Sequence, residues 1–257
     1  MTRPLLLQGD AYEVLTGLDD QSVQCVVTSP PYYNLRDYGE KDQIGLEEND
    51  EDYVDNLLKV FAEVKRILRK DGTLWLNLGD TYAHKCLLGV PWKVALALQS
   101  DGWWLRSDII WHKPNVMPEG VKDRCTRDHE YIFMLSKSPN YYYDADAIKE
   151  PVQDSSIKRS MYGWDSDRPS TKSNTGIHTE KMGTRFVNPK GRNKRTVWTI
   201  NPANYKDAHF ATFPEMIPEL CIKAGSKKGD TILDPFVGSG TTCRVASKLG
   251  RNSIGID

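Results

Sequence analysis

Residues 231–257 constrain the fold more than any other stretch of the chain. Thr231-Ile232-Leu233-Asp234 is a short run of the kind a buried strand needs, bounded by Gly229-Asp230 on one side. It meets a glycine-rich turn, Pro235-Phe236-Val237-Gly238-Ser239-Gly240, then a helical stretch over 241–249, then a last strand over 252–256 that closes on Asp257. A strand, a tight turn, a helix and a second strand of these lengths form a βαβ unit, which belongs in a parallel sheet with helices on its faces.

The preceding sequence repeats the alternation. Leu5-Leu6-Leu7-Gln8 reads as a short buried strand ending at Gly9-Asp10, and 11–18 as a helix. Residues 23–28 form a β-rich run stopped by Ser29-Pro30-Pro31. An amphipathic helix is expected over 52–69, because Tyr53, Leu57, Val60, Phe61, Val64, Ile67 and Leu68 fall at helical spacing. Asp71-Gly72 is read as its stop, and 73–78 as the next buried strand. A helix over 91–100 and strands over 105–111, 131–135 and 196–200 follow, then a helix over 213–224 that starts around Pro214 and stops at Gly225. The expected class is α/β, Rossmann-like, with a mixed but mostly parallel sheet covered on both faces. No internal repeat is visible. Three parts are expected: a catalytic core over 1–150, an insert over 151–195, and the remainder of the core over 196–257.

The insert differs in composition. Residues 152–194 are poor in aliphatics and carry Lys158, Arg159, Arg168, Lys172, Lys181, Arg185, Lys190, Arg192 and Lys194 against Asp154, Asp165, Asp167 and Glu180. Composition alone favours a solvated loop, while the local basic excess also suits a segment that grips nucleic-acid backbone. The whole chain does not announce such a partner, since 34 basic residues face 35 acidic ones. Any polyanion binding must therefore come from local concentration of charge. Met1 to Gly9 is too short for a signal peptide or a membrane span. The cysteines at 25, 86, 125, 221 and 243 form no Cys-x-x-Cys pair, which suits reduced thiols in a cytoplasmic protein and makes no case for a zinc site.

Two segments carry chemistry. In the first, the glycines after Asp234 let a ligand approach the backbone, and the helix N-terminus beyond them favours a carboxylate or phosphate. Thr241 stands where a nucleoside-triphosphate loop needs Lys, and Asp257 closes the next strand, where an acid suits ribose hydroxyls. The second is Thr28-Ser29-Pro30-Pro31-Tyr32. Prolines can simply end a strand and Tyr can simply pack. In the chemical reading, the Ser29 hydroxyl and the Pro30 carbonyl accept both hydrogens of an amino group, and Tyr32 stacks on the ring that carries it.

Together these segments resemble the amino-methylating DNA methyltransferases that act on cytosine N4 or adenine N6. Ser-Pro-Pro-Tyr precedes the glycine turn here, the order of the circularly permuted beta class. Further segments are similar: Gly9-Asp10, the stretch Gly72-Thr-Leu-Trp-Leu-Asn77-Leu-Gly79-Asp80, Ile110-Trp-His-Lys-Pro114-Asn, His129-Glu130-Tyr131, and Phe210-Ala-Thr-Phe213-Pro214. The resemblance covers nearly the whole chain outside 152–194. It implies S-adenosyl-L-methionine as methyl donor, held by Asp10, Phe213, Asp234, Pro235, Phe236, Gly238, Gly240, Thr241, Thr242 and Asp257. It implies a catalytic set of Ser29, Pro30, Pro31 and Tyr32, acting on a base flipped out of double-stranded DNA. Lys158, Arg159, Arg168, Lys172, Arg185 and Arg192 are the expected DNA contacts. A cognate restriction endonuclease and a homodimer fit the same resemblance. The sequence stops at Asp257, where members of this family often continue into a further helix, a departure that bears on cofactor affinity.

Carbon-5 cytosine methylation uses a nucleophilic Cys that typically follows Pro, and none of the five Cys does so. Ser-Pro-Pro-Tyr is similar to cytosine-N4 enzymes, whereas Asp- or Asn-Pro-Pro-Tyr is commoner among adenine-N6 enzymes, so cytosine N4 is expected ahead of adenine N6. RNA or protein methylation, or a DNA-binding homologue without activity, are the rival readings. The intact Asp234, Gly238, Gly240, Ser29 and Tyr32 speak against loss of activity.

Overall fold

The structure, a computed structural model, describes residues 3–40, 42–152, 191–203 and 213–257. Met1–Asp144 with Arg195–Asp257 make one compact unit and Ala145–Lys194 another. In the smaller unit the described residues hold a 3-10 turn at Asp146–Ile148 and a two-way backbone pairing of Glu150 with Arg192 at 2.9 Å. Lys158, Arg159, Arg168, Lys172 and Arg185, all expected on DNA, lie outside the described residues.

In chain order the larger unit runs β1 (Leu5–Leu7), α1 (Ala11–Thr16), β2 (Val23–Thr28), α2 (Asp50–Ile67), β3 (Leu68–Leu78), a small hairpin of β4 (Tyr82–Ala83) and β5 (Cys86–Leu87), and α3 (Val90–Ser100). It continues with β6 (Trp104–His112), β7 (His129–Ser136), β8 (Val197–Thr199), α4 (Met216–Gly225), β9 (Thr231–Asp234), α5 (Thr241–Lys248) and β10 (Asn252–Ile256). The main sheet has the order β1-β10-β9-β2-β3-β7-β6-β8. From β1 to β3 all neighbours are parallel, β7 is antiparallel to both β3 and β6, and β8 runs parallel to β6. This is the mixed, mostly parallel α/β sheet expected from the alternation.

Strand pleating splits the core in two. Val26, Leu74, Leu76, Phe133 and Leu135 join the cluster under α1, α2 and α3. Cys25 and Trp75, one residue out of phase, face α4 on the other side. There Gly225 permits the approach: a Cβ at that position would stand 2.7 Å from Thr73 Oγ1, 2.8 Å from Cys25 Sγ and 3.0 Å from Trp75 Nε1. Helix α2 follows its periodicity, with Tyr53, Leu57, Phe61, Val64 and Ile67 fully buried. Each such side chain contributes roughly 1.5–3 kcal/mol. Asn49 caps the helix by accepting from the Asp52 N–H at 2.8 Å, and Asp50, Glu51 and Asp52 against Lys65 and Arg66 match its dipole.

Three expectations need correction. Strand β1 is an edge strand rather than a buried one, with Leu5 and Leu6 about half exposed (50% and 61%), because only β10 pairs with it. Helix α2 ends at Ile67 and the chain passes straight into β3, where pairing with β2 begins at Leu68. Asp71-Gly72 therefore lies inside a long strand, at an irregularity where a Cβ on Gly72 would meet the Arg69 and Gln24 carbonyls at 3.0 and 3.1 Å. Helix α4 begins at Met216, after a turn in which the Ile217 N–H reaches the Pro214 carbonyl. No helix among the described residues is long and apolar enough to cross a membrane.

Candidate active site

Because β1, β10, β9, β2 and β3 are parallel, their carboxyl ends share one edge of the sheet. Strand β7 is antiparallel, so its first residues, His129 and Glu130, arrive at that same edge, and β6 leaves there at His112. Winding reverses between β9 and β2: the β9-to-β10 crossover goes one way and the β2-to-β3 crossover the other. Parallel sheets open a ligand crevice at such a reversal. Here a cleft of about 660 Å³ opens at this edge. Ser29 and Pro31 line it, as do Asp10, Phe213, Asp234, Pro235, Phe236, Gly238, Thr241 and Asp257. Gln8, Gly9, Ile256 and the loop residues Tyr38, Glu40, Asp42, Gln43 and Ile44 are also part of the wall.

The glycine turn needs its glycines at two positions, since Gly238 and Gly240 have φ of +43° and +77°. Gly240 precedes α5, whose N-terminus has no side-chain cap. Asp234 lies beneath, 2% exposed. Its Oδ1 accepts from Thr28 Oγ1 at 2.7 Å and from the Phe236 N–H at 3.2 Å. Burial pushes the Asp234 carboxyl up to about 6, with Asp257 adding to the rise and these hydrogen bonds opposing it. Asp10 caps α1 by accepting from the Glu13 N–H at 3.0 Å, and the Gly9 N–H donates to the Asp257 carbonyl at 3.1 Å, which joins the first turn to the end of β10.

The Ser-Pro-Pro-Tyr segment is held from two sides. Tyr53 of α2 donates its hydroxyl to the Pro31 carbonyl at 2.8 Å. Tyr32 lies across Gly79, where a Cβ would stand 2.7 Å from the ring. Its hydroxyl accepts from Ser29 Oγ at 3.1 Å and from Asn77 Nδ2 at 2.6 Å, and donates to Glu130 Oε2 at 2.6 Å. Asn77 Nδ2 also reaches Glu130 Oε2 at 2.8 Å, and Lys113 Nζ pairs with the other carboxylate oxygen. Burial, and next the Glu130 charge, push the Tyr32 phenol well above its usual range, so it stays protonated.

A family model for DNA methylases, N6_N4_Mtase, matches residues 23–257. The chain belongs to this DNA methylase family. Two relatives are similar along nearly its whole length. The type II methyltransferase M.SmaI of Serratia marcescens is 43% identical, over 98% of this chain and 85% of its own, and M.Cfr9I of Citrobacter freundii is 42% identical, over 98% and 82%. Among solved structures, the PvuII DNA methyltransferase (cytosine-N4-specific) superposes with a TM-score of 0.72 at 21% identity, covering 100% of this chain and 83% of that one, a likeness of fold. TTHA0409 of Thermus thermophilus, complexed with S-adenosyl-L-methionine, superposes with 0.65 at 25% identity, covering 99% and 89%.

S-adenosyl-L-methionine is the methyl donor of this methylase. The cleft fits it on its own chemistry. It has the size of a small-molecule pocket. Phe213, Phe236 and Ile256 offer apolar surface, Asp10 and Asp257 offer acceptors, and the uncapped start of α5 offers N–H donors.

Some expected residues of the methylase stand apart from the cleft lining. Pro30, Tyr32 and Gly240 do not line it, and Thr242 is buried with its hydroxyl 3.3 Å from the Val27 carbonyl. Arg192, in the smaller unit, places Nε 3.2 Å from Glu150 Oε2. Sequence reasoning quoted Thr28, Asn77, Lys113 and Glu130 within motifs but gave them no task. A charged residue near the start of a mostly apolar strand, as Glu130 is in β7, was the available signal.

Proposed function

We propose that this methylase transfers a methyl group to the N4 amino group of a cytosine flipped out of duplex DNA. The observation that carries the reading is that Ser29 and Pro31 line the same cleft as the Gly238 turn. A donor bound over that turn and an amino group at Ser29 therefore meet in one space. In this reading the Ser29 hydroxyl and the Pro30 carbonyl accept the two amino hydrogens. The Pro31 carbonyl is occupied by Tyr53, which leaves the Pro30 carbonyl as the free acceptor of the pair. Such hydrogen bonds favour the pyramidal nitrogen reached in transfer, and the rest of catalysis is positioning. S-adenosyl-L-methionine, when bound, supplies an electrophilic sulfonium methyl. Asp10, Asp257 and Asp234, with Phe213, Pro235, Phe236, Gly238 and Thr241, are assigned to its binding.

Cytosine is assigned over adenine on Ser29, and the cytosine-N4-specific PvuII enzyme with the same fold supports the choice. The type II relatives support a place in a restriction-modification system. The basic composition of 151–195 supports target recognition by that segment. The test is methylation of unmodified duplex DNA with labelled S-adenosyl-L-methionine, followed by nucleoside mass analysis. N4-methylcytosine upholds the proposal, N6-methyladenine keeps the site and replaces the base, and no incorporation refutes it.

A further inference from the structure

We propose that Glu130 is the terminal proton acceptor of methyl transfer, reached from the amino nitrogen through the hydroxyls of Ser29 and Tyr32. The inference rests on the reading that Ser29 meets the target amino group. Once methylated, that nitrogen carries a proton it must lose. The structure holds a directed path for it: Ser29 Oγ–H donates to Tyr32 Oη at 3.1 Å, and Tyr32 Oη–H donates to Glu130 Oε2 at 2.6 Å. Both donors point away from the cleft and toward a carboxylate. In the relay, the N–H bond breaks as a bond from Ser29 Oγ to that hydrogen forms. The original Ser29 proton passes to Tyr32 Oη, and the Tyr32 proton passes to Glu130 Oε2. The methylated amine ends neutral, both hydroxyls are restored, and Glu130 ends as a carboxylic acid. No further reactant is needed.

Two neighbouring groups do not lie on this path. Asn77 Nδ2 lies 3.4 Å from Ser29 Oγ, 2.6 Å from Tyr32 Oη and 2.8 Å from Glu130 Oε2; its two hydrogens serve two of these at a time, and an amide is too weak a base to take the proton. Asp234 Oδ1 accepts from Thr28 and from the Phe236 N–H. Lys113 occupies only Oε1 of Glu130, which leaves Oε2 facing the relay. The Lys113 ammonium also sits 4.3 Å from the centre of the Trp111 ring of β6. The Glu130 side chain is 15% exposed, shielded enough for its charge to act on the path.

Single-turnover methyl transfer into a duplex oligonucleotide tests this, with S-adenosyl-L-methionine affinity measured by titration in parallel. Glu130→Gln keeps a carbonyl for Tyr32 and Asn77 but loses the proton acceptor. The transfer rate constant should fall on the order of 10²-fold, the usual weight of a general base, with cofactor affinity within about twofold of the parent, as expected of a group outside the cleft lining. A parental rate constant in Glu130→Gln overturns the proposal. Should Gln disturb packing, Glu130→Ala decides: rescue by formate and not by formamide supports a proton acceptor, whereas equal rescue by both, or by neither, overturns it. Ser29→Ala run alongside separates the two readings. If it transfers methyl normally, the site assignment itself fails; if it is inactive while Glu130→Gln is not, the relay alone fails.

Discussion

The Thr28 hydroxyl donates to Asp234 Oδ1 at 2.7 Å, across 206 residues of sequence. Thr28 ends the strand that leads into Ser-Pro-Pro-Tyr, and Asp234 ends the strand that leads into the glycine turn. This buried hydrogen bond joins the two halves of the cleft where the paired strands β2 and β9 end. It also holds a carboxyl group in a place where ionisation is costly.

The titration of Asp234 gives a signed prediction. Its folded value, about 6, lies above the ordinary 3.8, so folding favours the protonated form. The penalty for burying the charge is absent below pH about 4, grows between about 4 and 6, and is complete above. Asp234→Asn removes it. Denaturant unfolding without cofactor should show the variant more stable than the parent at pH 7, by up to about 3 kcal/mol. The margin should shrink to nothing toward pH 4, while binding of S-adenosyl-L-methionine at pH 7 weakens at least tenfold. A margin that widens toward acid would contradict this account.

Gly79 tests how firmly Tyr32 is placed. An alanine Cβ there would stand 2.7 and 2.9 Å from two ring carbons of Tyr32, whose hydroxyl is tied to Asn77 and Glu130 and cannot swing freely. Gly79→Ala should cost about 1–3 kcal/mol of stability through overpacking. A displacement near 1 Å at a reacting centre lowers transfer by roughly 10²-fold. Thermal unfolding and single-turnover kinetics report the two effects, and cofactor affinity should stay put. Normal transfer by this variant would mean that the Tyr32 ring position is irrelevant.

The thiols should divide two against three. Cys86 and Cys125 are exposed, whereas Cys25, Cys221 and Cys243 are buried. Burial pushes the Cys25 thiol up to about 12 and the Cys243 thiol to about 11, and raises Cys221 strongly, so the reactive thiolate is suppressed in all three. With a chromogenic disulfide reagent at pH 8, two equivalents should react quickly in the native protein and five after unfolding. A fast third equivalent would show the core opening without denaturant.

Much of the fold was readable because its signals are local. The strands of the final βαβ unit, Thr231–Asp234 and Asn252–Ile256, fall where the sequence reading put them, since a short apolar strand bounded by glycine leaves little freedom. Helix α2 announced itself through the spacing of Tyr53, Leu57, Phe61 and Val64. Leu5 and Leu6 misled because an apolar triplet looks the same at the edge of a sheet as at its centre. Asp71-Gly72 misled because a turn pair can also sit in a strand irregularity, and only the pairing of Leu68 with Val23 decides between them.

The sequence by itself determined the alternation of strands and helices and the two segments that carry the chemistry, because periodicity, proline and glycine act over a few bonds. Only the tertiary structure decided that β9 lies beside β2, which brings Asp234 to Thr28 and the glycine turn to Ser29. It also decided that β7 runs antiparallel and so delivers Glu130 to Tyr32. Strand order and direction arise from hydrogen bonds and buried surface shared by distant segments, and no local property of either segment encodes them.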